Sequence, residues 1–172
     1  SSITSIFGGS VDRLEVTQGS TVNVSGGEVS RISYTGDASG TTSISGGSVF
    51  LIEPKGSSIT TVSGGSVERI WAMQDSIAKI SGGSIDQIVA HSGIVTLVAR
   101  DFDFGPGLSS DGTEIGGTGD LSGQWYDGTR WTVGIVSNGS EASILIPEPA
   151  TLTLLTLGGL ALLRRRKRRA CK

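Results

Sequence analysis

The sequence predicts an all-β protein: a parallel β-helix, or β-solenoid, of about five to six 18-residue coils, an irregular β cap and a single hydrophobic C-terminal helix. Three observations predict this architecture: repeated Gly-Gly pairs, aliphatic residues at constant offsets from each pair, and an uncharged segment near the C-terminus. We place the coils at residues 1–100, the cap at 101–146 and the C-terminal tail at 147–172.

The repeat is defined by Gly-Gly pairs whose spacings are 18, 20, 18 and 18 residues. The pairs are Gly8-Gly9, Gly26-Gly27, Gly46-Gly47, Gly64-Gly65 and Gly82-Gly83. Aliphatic residues stand at three constant offsets from the first glycine of each pair. Two places before it are Ile6, Val24, Ile44, Val62 and Ile80; three places after it are Val11, Val29, Val49, Val67 and Ile85. Six places after it are Leu14, Ile32, Ile52, Ile70 and Ile88. Because one unit has too few apolar side chains for a core, units must stack. An antiparallel meander or sandwich would explain the alternation but not the constant offsets.

Two corners per coil are expected. The Gly-Gly pairs mark a corner where a positive φ, or a close pass of the neighbouring coil, excludes a β-carbon. The second corner falls near Gly19, Gly36, Gly56, Gln74 and Ser92. The two-residue insertion lies at residues 35–40, where we expect a small bulge.

The period stops after Arg100. We expect Phe102, Phe104 and Leu108 to cover the open end of the last coil. Residues 124–131 predict a hairpin with an Asp-Gly turn, and residues 131–146 alternate enough for two further strands.

Composition excludes several classes of function. Residues 1–163 hold 7 Lys or Arg and 16 Asp or Glu, a net charge of −9, which argues against nucleic-acid binding by the body. Cys171 is the sole cysteine, so disulfides do not stabilise the body, although its palmitoylation stays open. Because the chain begins at Ser1 without a leader, we expect an upstream segment with an export signal.

Catalytic, metal and cofactor sites are not predicted. His91 is the sole histidine and is expected to be a solvated surface residue. Five acids in the cap fit turn chemistry better than a calcium loop; they are Asp101, Asp103, Asp111, Asp120 and Asp127. An ice-binding array is suggested by some threonines and broken by Ile77 and Ala78; these threonines are Thr21, Thr41, Thr42, Thr60 and Thr61.

Charged residues recur at two offsets within the repeat and would stack into an outward stripe. We call this set the charged stripe; it comprises Asp12, Ser30, Phe50, Glu68 and Asp86, and beside them Arg13, Arg31, Leu51, Arg69 and Gln87. A solvated structural face is the favoured interpretation. A lyase-like catalytic ladder and weak glycan binding are alternatives, although Phe50 and Leu51 interrupt the ladder.

The tail has three parts in order. Pro147, Glu148 and Pro149 precede an uncharged stretch that begins at Ala150 and ends at Leu163, roughly 21 Å long as a helix. Six cations follow: Arg164, Arg165, Arg166, Lys167, Arg168 and Arg169. This order predicts a short membrane helix with its basic end in the cytoplasm. A buried terminal helix with a basic tail, or a nucleic-acid arm, are the alternatives.

These residues closely resemble the PEP-CTERM sorting signal of Gram-negative bacteria that make exopolysaccharide. The resemblance implies that an exosortase, a membrane transpeptidase, recognises Pro147-Glu148-Pro149 and removes the tail. It further implies a protein at the cell envelope or extracellular surface, anchored in the inner membrane before processing.

We therefore expect an exported structural or adhesive protein, not an enzyme. Its expected partners are exosortase, the membrane and extracellular polysaccharide. The alternative is a carbohydrate-active β-helix, lyase-like or glycan-binding, whose active coils lie in a missing N-terminal part.

Overall fold

The first three repeats each form two short strands because Val and Ile alternate with polar residues on both sides of the glycine pair. The computed structural model describes residues 2–36, 39–137 and 143–145. The strands of the repeat region are β1 (Ile3–Ile6), β2 (Ser10–Val16), β3 (Thr21–Val24), β4 (Glu28–Tyr34), β5 (Thr41–Ile44), β6 (Ser48–Glu53), β7 (Ile59–Met73), β8 (Ile77–His91) and β9 (Ile94–Leu97). In β7 and β8 the strand continues through the glycine corner, so one element spans both halves of a coil.

Successive coils stack in parallel with each residue beside its counterpart in the next repeat. The first strands of the coils form one face of the rod, in the order β1, β3, β5, β7, β8 and β9. The second strands form the other face, from β2 through β4 and β6 to the later parts of β7 and β8. This arrangement confirms the predicted all-β solenoid, with about five turns.

The interior is made of continuous columns of aliphatic side chains. Val49 pairs with Val67, and Val67 pairs with Ile85, and all three are at most 4% exposed. A further inward column was not predicted from the sequence. Its members are Val22, Thr42, Thr60, Ala78 and Val95, all buried and in register.

Two threonines in this additional column are buried because a tyrosine satisfies their hydroxyl groups. Tyr34 Oη donates to Thr42 Oγ1 at 2.6 Å and lies 3.1 Å from Thr60 Oγ1. Burial raises the pKa of Tyr34, so its hydroxyl stays protonated. Thr42 and Thr60 therefore belong to the core and not to an outward threonine array, which corrects the grouping suggested by the sequence.

The glycine corner excludes a side chain for two separate reasons. A β-carbon on Gly64 would lie 2.6 Å from the carbonyl oxygen of Ser45, one coil below. Gly65 has φ of 79° and is also crowded by the backbone of the preceding pair. The same crowding recurs at the pairs that begin at Gly26, Gly46 and Gly82.

The second corner also has a left-handed residue in each coil. Gly19, Gly36 and Gly56 occupy this conformation in three coils, and Gln74 (φ 53°) and Ser92 (φ 64°) occupy it in the next two. The non-glycine residues form hydrogen bonds between coils. Gln74 Oε1 accepts from the Gly56 amide at 3.2 Å, and Ser92 Oγ accepts from the Gln74 amide at 3.0 Å. The insertion expected to bulge lies between β4 and β5, and two of its residues, 37 and 38, are outside the described part.

Parallel stacking extends beyond Arg100 into the cap. The cap strands are β10 (Ala99–Phe104), β11 (Leu108–Ser110), β12 (Glu114–Trp125), β13 (Arg130–Ser137) and β14 (Ser143–Leu145). Strand β13 stacks in parallel on the second half of β8, and β14 stacks in parallel on β9. Strand β12 is antiparallel to both, and β10 and β11 pair antiparallel with β12. The cap thus reverses strand direction at the end of the parallel stack.

Two tryptophans of the cap hairpin cover the last coil. Trp125 and Trp131 stack with ring centroids 4.8 Å apart, and the Trp125 indole N–H donates to the carbonyl of Gly83 at 2.9 Å. Phe102 and Leu108 are partly buried and pack against the core, whereas Phe104 is 38% exposed. The expectation that these three residues would form the cover is therefore wrong for Phe104; the large indole rings come from the hairpin instead.

Gly64→Ala should lower the free energy of unfolding by about 1–3 kcal/mol because the new methyl group meets a backbone carbonyl that cannot move without shifting a coil. Gly8→Ala is the matched control: it has the same place in the repeat, but no atom lies within 4 Å of the added β-carbon. Denaturant melts of the two variants measure the difference. Equal stability of both variants would contradict the role assigned to the close pass between coils.

Tyr34→Phe should lower the free energy of unfolding by about 1–3 kcal/mol because the buried Thr42 and Thr60 hydroxyl groups lose their shared partner. Tyr126→Phe, at a tyrosine that is 63% exposed, should change it by less than about 0.5 kcal/mol. Thermal unfolding followed by circular dichroism gives both values. An unchanged midpoint for the Tyr34 variant would show that the hydroxyl cluster adds nothing to the core.

Candidate functional site

The charged stripe lies on the outward side of the second face, as its spacing predicts. Arg13, Arg31, Leu51, Arg69 and Gln87 follow one another in register from β2 to β8. All are exposed or half-buried.

Polar side chains of the stripe bind their neighbours in adjacent coils. The Arg31 guanidinium contacts Glu53 Oε2 through Nε at 2.7 Å and through Nη2 at 2.5 Å, although Glu53 is only 8% exposed. Arg69 Nε donates to Gln87 Oε1 at 2.6 Å. These contacts join coils across the stripe. In a catalytic or anion-binding ladder the same arginines would point toward a ligand, whereas here they contact neighbouring side chains.

The charged stripe is interrupted in one coil, where Phe50 and Leu51 stand in place of charged residues. Phe50 is 52% exposed, and Trp71, in the following coil, is 39% exposed. Leu51 takes the place of the arginine in this coil and pairs with Arg31 and Arg69 on either side.

His91 is exposed at the end of β8, as expected for a solvated histidine. It pairs in register with Met73 of the previous coil. Within residues 2–36, 39–137 and 143–145, no group of three or more His, Cys, Asp or Glu side chains is arranged to hold a metal ion.

Two of the five cap acids form turns. Asp111 Oδ1 accepts hydrogen bonds from the backbone amides of Glu114 (2.8 Å) and Thr113 (2.9 Å), and these bonds lower the pKa of the Asp111 carboxyl. Asp127 Oδ1 accepts from the Thr129 amide at 2.8 Å, which lowers the pKa of Asp127. Both carboxylates therefore serve the turn chemistry that the sequence favours for them.

Two other acids, Asp101 and Asp103, line a polar cleft on the cap. We call this the cap cleft; its volume is about 480 Å³, and its lining residues are Asp101, Asp103, Ser122, Gly123, Gln124, Arg130, Trp131 and Thr132. They come from three neighbouring strands, β10, β12 and β13. The volume is within the usual range of about 300–1,000 Å³ for small-molecule sites.

A β-bulge shapes the wall of the cap cleft. Asp101 and Phe102 both lie opposite Gly123, so β10 carries one extra residue at this point. Asp101 is one of three described non-glycine residues with a positive φ, here 56°. Such a conformation costs on the order of 1 kcal/mol and occurs often at binding sites.

The floor of the cap cleft is the indole ring of Trp131, which packs directly on the backbone of Gly123. A β-carbon on Gly123 would lie 2.7 Å from Cζ2 of Trp131, so only glycine leaves room for the ring. Phe102 packs edge-on against the same ring, with the two ring centroids 5.8 Å apart. Trp131 is 8% exposed, and its indole nitrogen is buried without a hydrogen-bond partner in the described part of the chain.

Sequence reasoning did not assemble the cap cleft. It considered Asp101 and Asp103 only as separate turn or calcium residues, and Trp131 only as part of a hairpin. Gln124 and Arg130 were missed because nothing in a linear pattern shows that a bulge in β10 places them beside the two acids.

The predicted sorting residues, from Pro147 to Arg169, lie outside the described residues, as does the expected hydrophobic helix. In the part of the chain that the structure describes, no helix is long and apolar enough to cross a membrane.

Comparison with protein families supplies the evidence for the tail. Residues 145–169 match the family model described as the PEP-CTERM protein-sorting motif. The chain carries a PEP-CTERM sorting motif. This motif indicates a secreted protein that is processed by exosortase and exported to the cell envelope, which confirms the resemblance drawn from Pro147-Glu148-Pro149 and the segments after it. Neither the curated proteins nor the solved structures include a match to the chain.

Proposed function

We propose that this PEP-CTERM protein is a structural or adhesive component of the bacterial cell surface or of its exopolysaccharide matrix, and not an enzyme. The single observation that carries the proposal is the use of the repeat's polar side chains. Arg31, Arg69 and Gln74 are bound to residues of adjacent coils, so the chemistry of the repeat serves to hold the rod together.

The geometry of the rod suits a spacer or scaffold. Five coils at about 4.8 Å per coil give a rod roughly 25 Å long, with a continuous aliphatic interior. A stack of this kind presents the same outward positions repeatedly along two faces, which favours extended contacts over a single reactive centre.

In our proposal the C-terminal tail directs the protein to the cell surface or the exopolysaccharide matrix. The helix predicted from Ala150 to Leu163 holds the precursor in the inner membrane of a Gram-negative-type cell, and the six cations after it stay in the cytoplasm. Exosortase then acts at Pro147-Glu148-Pro149 and releases the body.

A second candidate function is glycan recognition, and the cap cleft is the observation that favours it. Its mixture of carboxylate, amide, guanidinium and hydroxyl groups beside an indole ring is typical of polar ligand sites. The carbohydrate-active alternative extends this idea to catalysis by coils outside the present chain.

Replacing Pro147, Glu148 and Pro149 with alanine in the host gene should block processing, because these residues form the handle that exosortase recognises. Mass spectrometry of the wild-type envelope and matrix fractions should find no peptides beyond Pro149, whereas the variant should keep its Lys172 terminus in the membrane fraction. Pro106→Ala, at an exposed proline of the cap, is the control and should be processed normally. An intact Lys172 terminus in the wild-type protein would show permanent anchoring instead.

Incubation of the purified protein with acidic polysaccharides should release no unsaturated sugars, because Arg31 and Arg69 of the charged stripe are bound to Glu53 and Gln87. Chromatography and ultraviolet absorbance follow the products. Steady product formation that is abolished by Arg69→Ala would establish a lyase and overturn the structural proposal.

A further inference from the structure

We propose that the cap cleft is a binding site for a neutral, hydroxyl-rich ligand, a short segment of uncharged glycan. This inference deepens the second candidate function. It relies on the proposed extracellular role only for the presence of glycans around the protein.

The charges of the cap cleft favour a neutral ligand. Asp101 and Asp103 contribute two negative charges, and Arg130 contributes one positive charge. Arg100 adds a second positive charge at the margin, where its Nε lies 3.8 Å from Asp101 Oδ2. The four charges balance, so neither a polyanion nor a cation gains a net attraction. The acidic body, at −9 for residues 1–163, further disfavours an anionic polymer.

The hydrogen-bonding groups of the cap cleft match those of a sugar. A sugar hydroxyl group both donates and accepts a hydrogen bond, and the lining offers both kinds of partner. The carboxylates of Asp101 and Asp103 accept, the Arg130 guanidinium donates, and Ser122 and Thr132 can do either. In the described part of the chain, the side chains of Asp103 and Arg130 make no hydrogen bond or ion pair with another residue.

The backbone of the cap cleft is pre-organised for this purpose. The bulge in β10 brings one extra residue to the wall, and the left-handed conformation of Asp101 is retained there despite its cost. Gln124 is held in place because its Nε2 donates to the Gly128 carbonyl at 2.6 Å, which leaves its Oε1 for a ligand. The backbone of the walls is therefore fixed by strand pairing and turn contacts, so binding requires little additional ordering of the main chain.

The test uses the full chain, in mild detergent, and a panel of neutral oligosaccharides: cellohexaose, maltohexaose and mannohexaose. Tryptophan emission is a direct readout because Trp131 lines the cap cleft, and isothermal titration calorimetry gives the affinity. We expect at least one neutral oligosaccharide to bind with a Kd of about 1 mM or tighter. Asp103→Ala and Arg130→Ala should each weaken that binding by about tenfold or more, the loss of one or two ligand hydrogen bonds.

Asp120→Ala is the matched control, since Asp120 is an exposed acid of β12 outside the cap cleft, and it should leave the affinity unchanged. All three residues are exposed, so thermal unfolding of the variants should match that of the parent chain. Absence of binding across the panel overturns the proposal, as does binding that Asp103→Ala and Arg130→Ala do not weaken. Preferential binding of calcium chloride or of oligogalacturonate would instead identify a cation or polyanion site and would equally overturn it. None of these results affects the sorting experiment, which tests the tail alone.

Discussion

In-register stacking of one coil on the next is the constraint on which the rest of this structure depends. Parallel strands approach to about 4.8 Å, so a residue is compatible with the fold only if its counterparts above and below accept it. Inside the rod this condition produces columns such as Val49, Val67 and Ile85. At the corner it removes the side chain altogether, because the carbonyl of Ser45 occupies the place where a β-carbon of Gly64 would lie.

The same constraint creates a problem at the end of the stack, where the last coil would present unpaired backbone groups and bare aliphatic side chains. The cap solves both parts of that problem. Strand β12 runs antiparallel to β13 and β14 and ends the parallel ladder, and the stacked indoles of Trp125 and Trp131 cover the interior. Strands β10 and β11 then pair with the far side of β12, so the backbone groups on that side also have partners.

The polar contacts between coils and the open polar cleft consequently lie in different parts of the molecule. Polar side chains of the coils form hydrogen bonds with adjacent coils, as in the contact between Arg31 and Glu53. The cap, free of the repeat, contains the irregular backbone at Asp101 and the open polar cleft beside it. The PEP-CTERM motif directs the rod and the cap to the same place.

The sequence by itself determined the solenoid, the position of both corners and the sorting tail, because each follows from a local pattern: a repeated offset, a glycine pair, or a Pro-Glu-Pro handle before an apolar segment. It also indicated the hairpin of the cap from its Asp-Gly turn. Only the tertiary structure decided that Thr42 and Thr60 face inward, since their burial depends on Tyr34 reaching across from another strand. It alone decided that Trp125 and Trp131 cover the core in place of Phe104, and that a bulge opposite Gly123 assembles the cap cleft. Those outcomes depend on which strands become neighbours, and the order of residues along the chain does not contain that information once the repeat has ended.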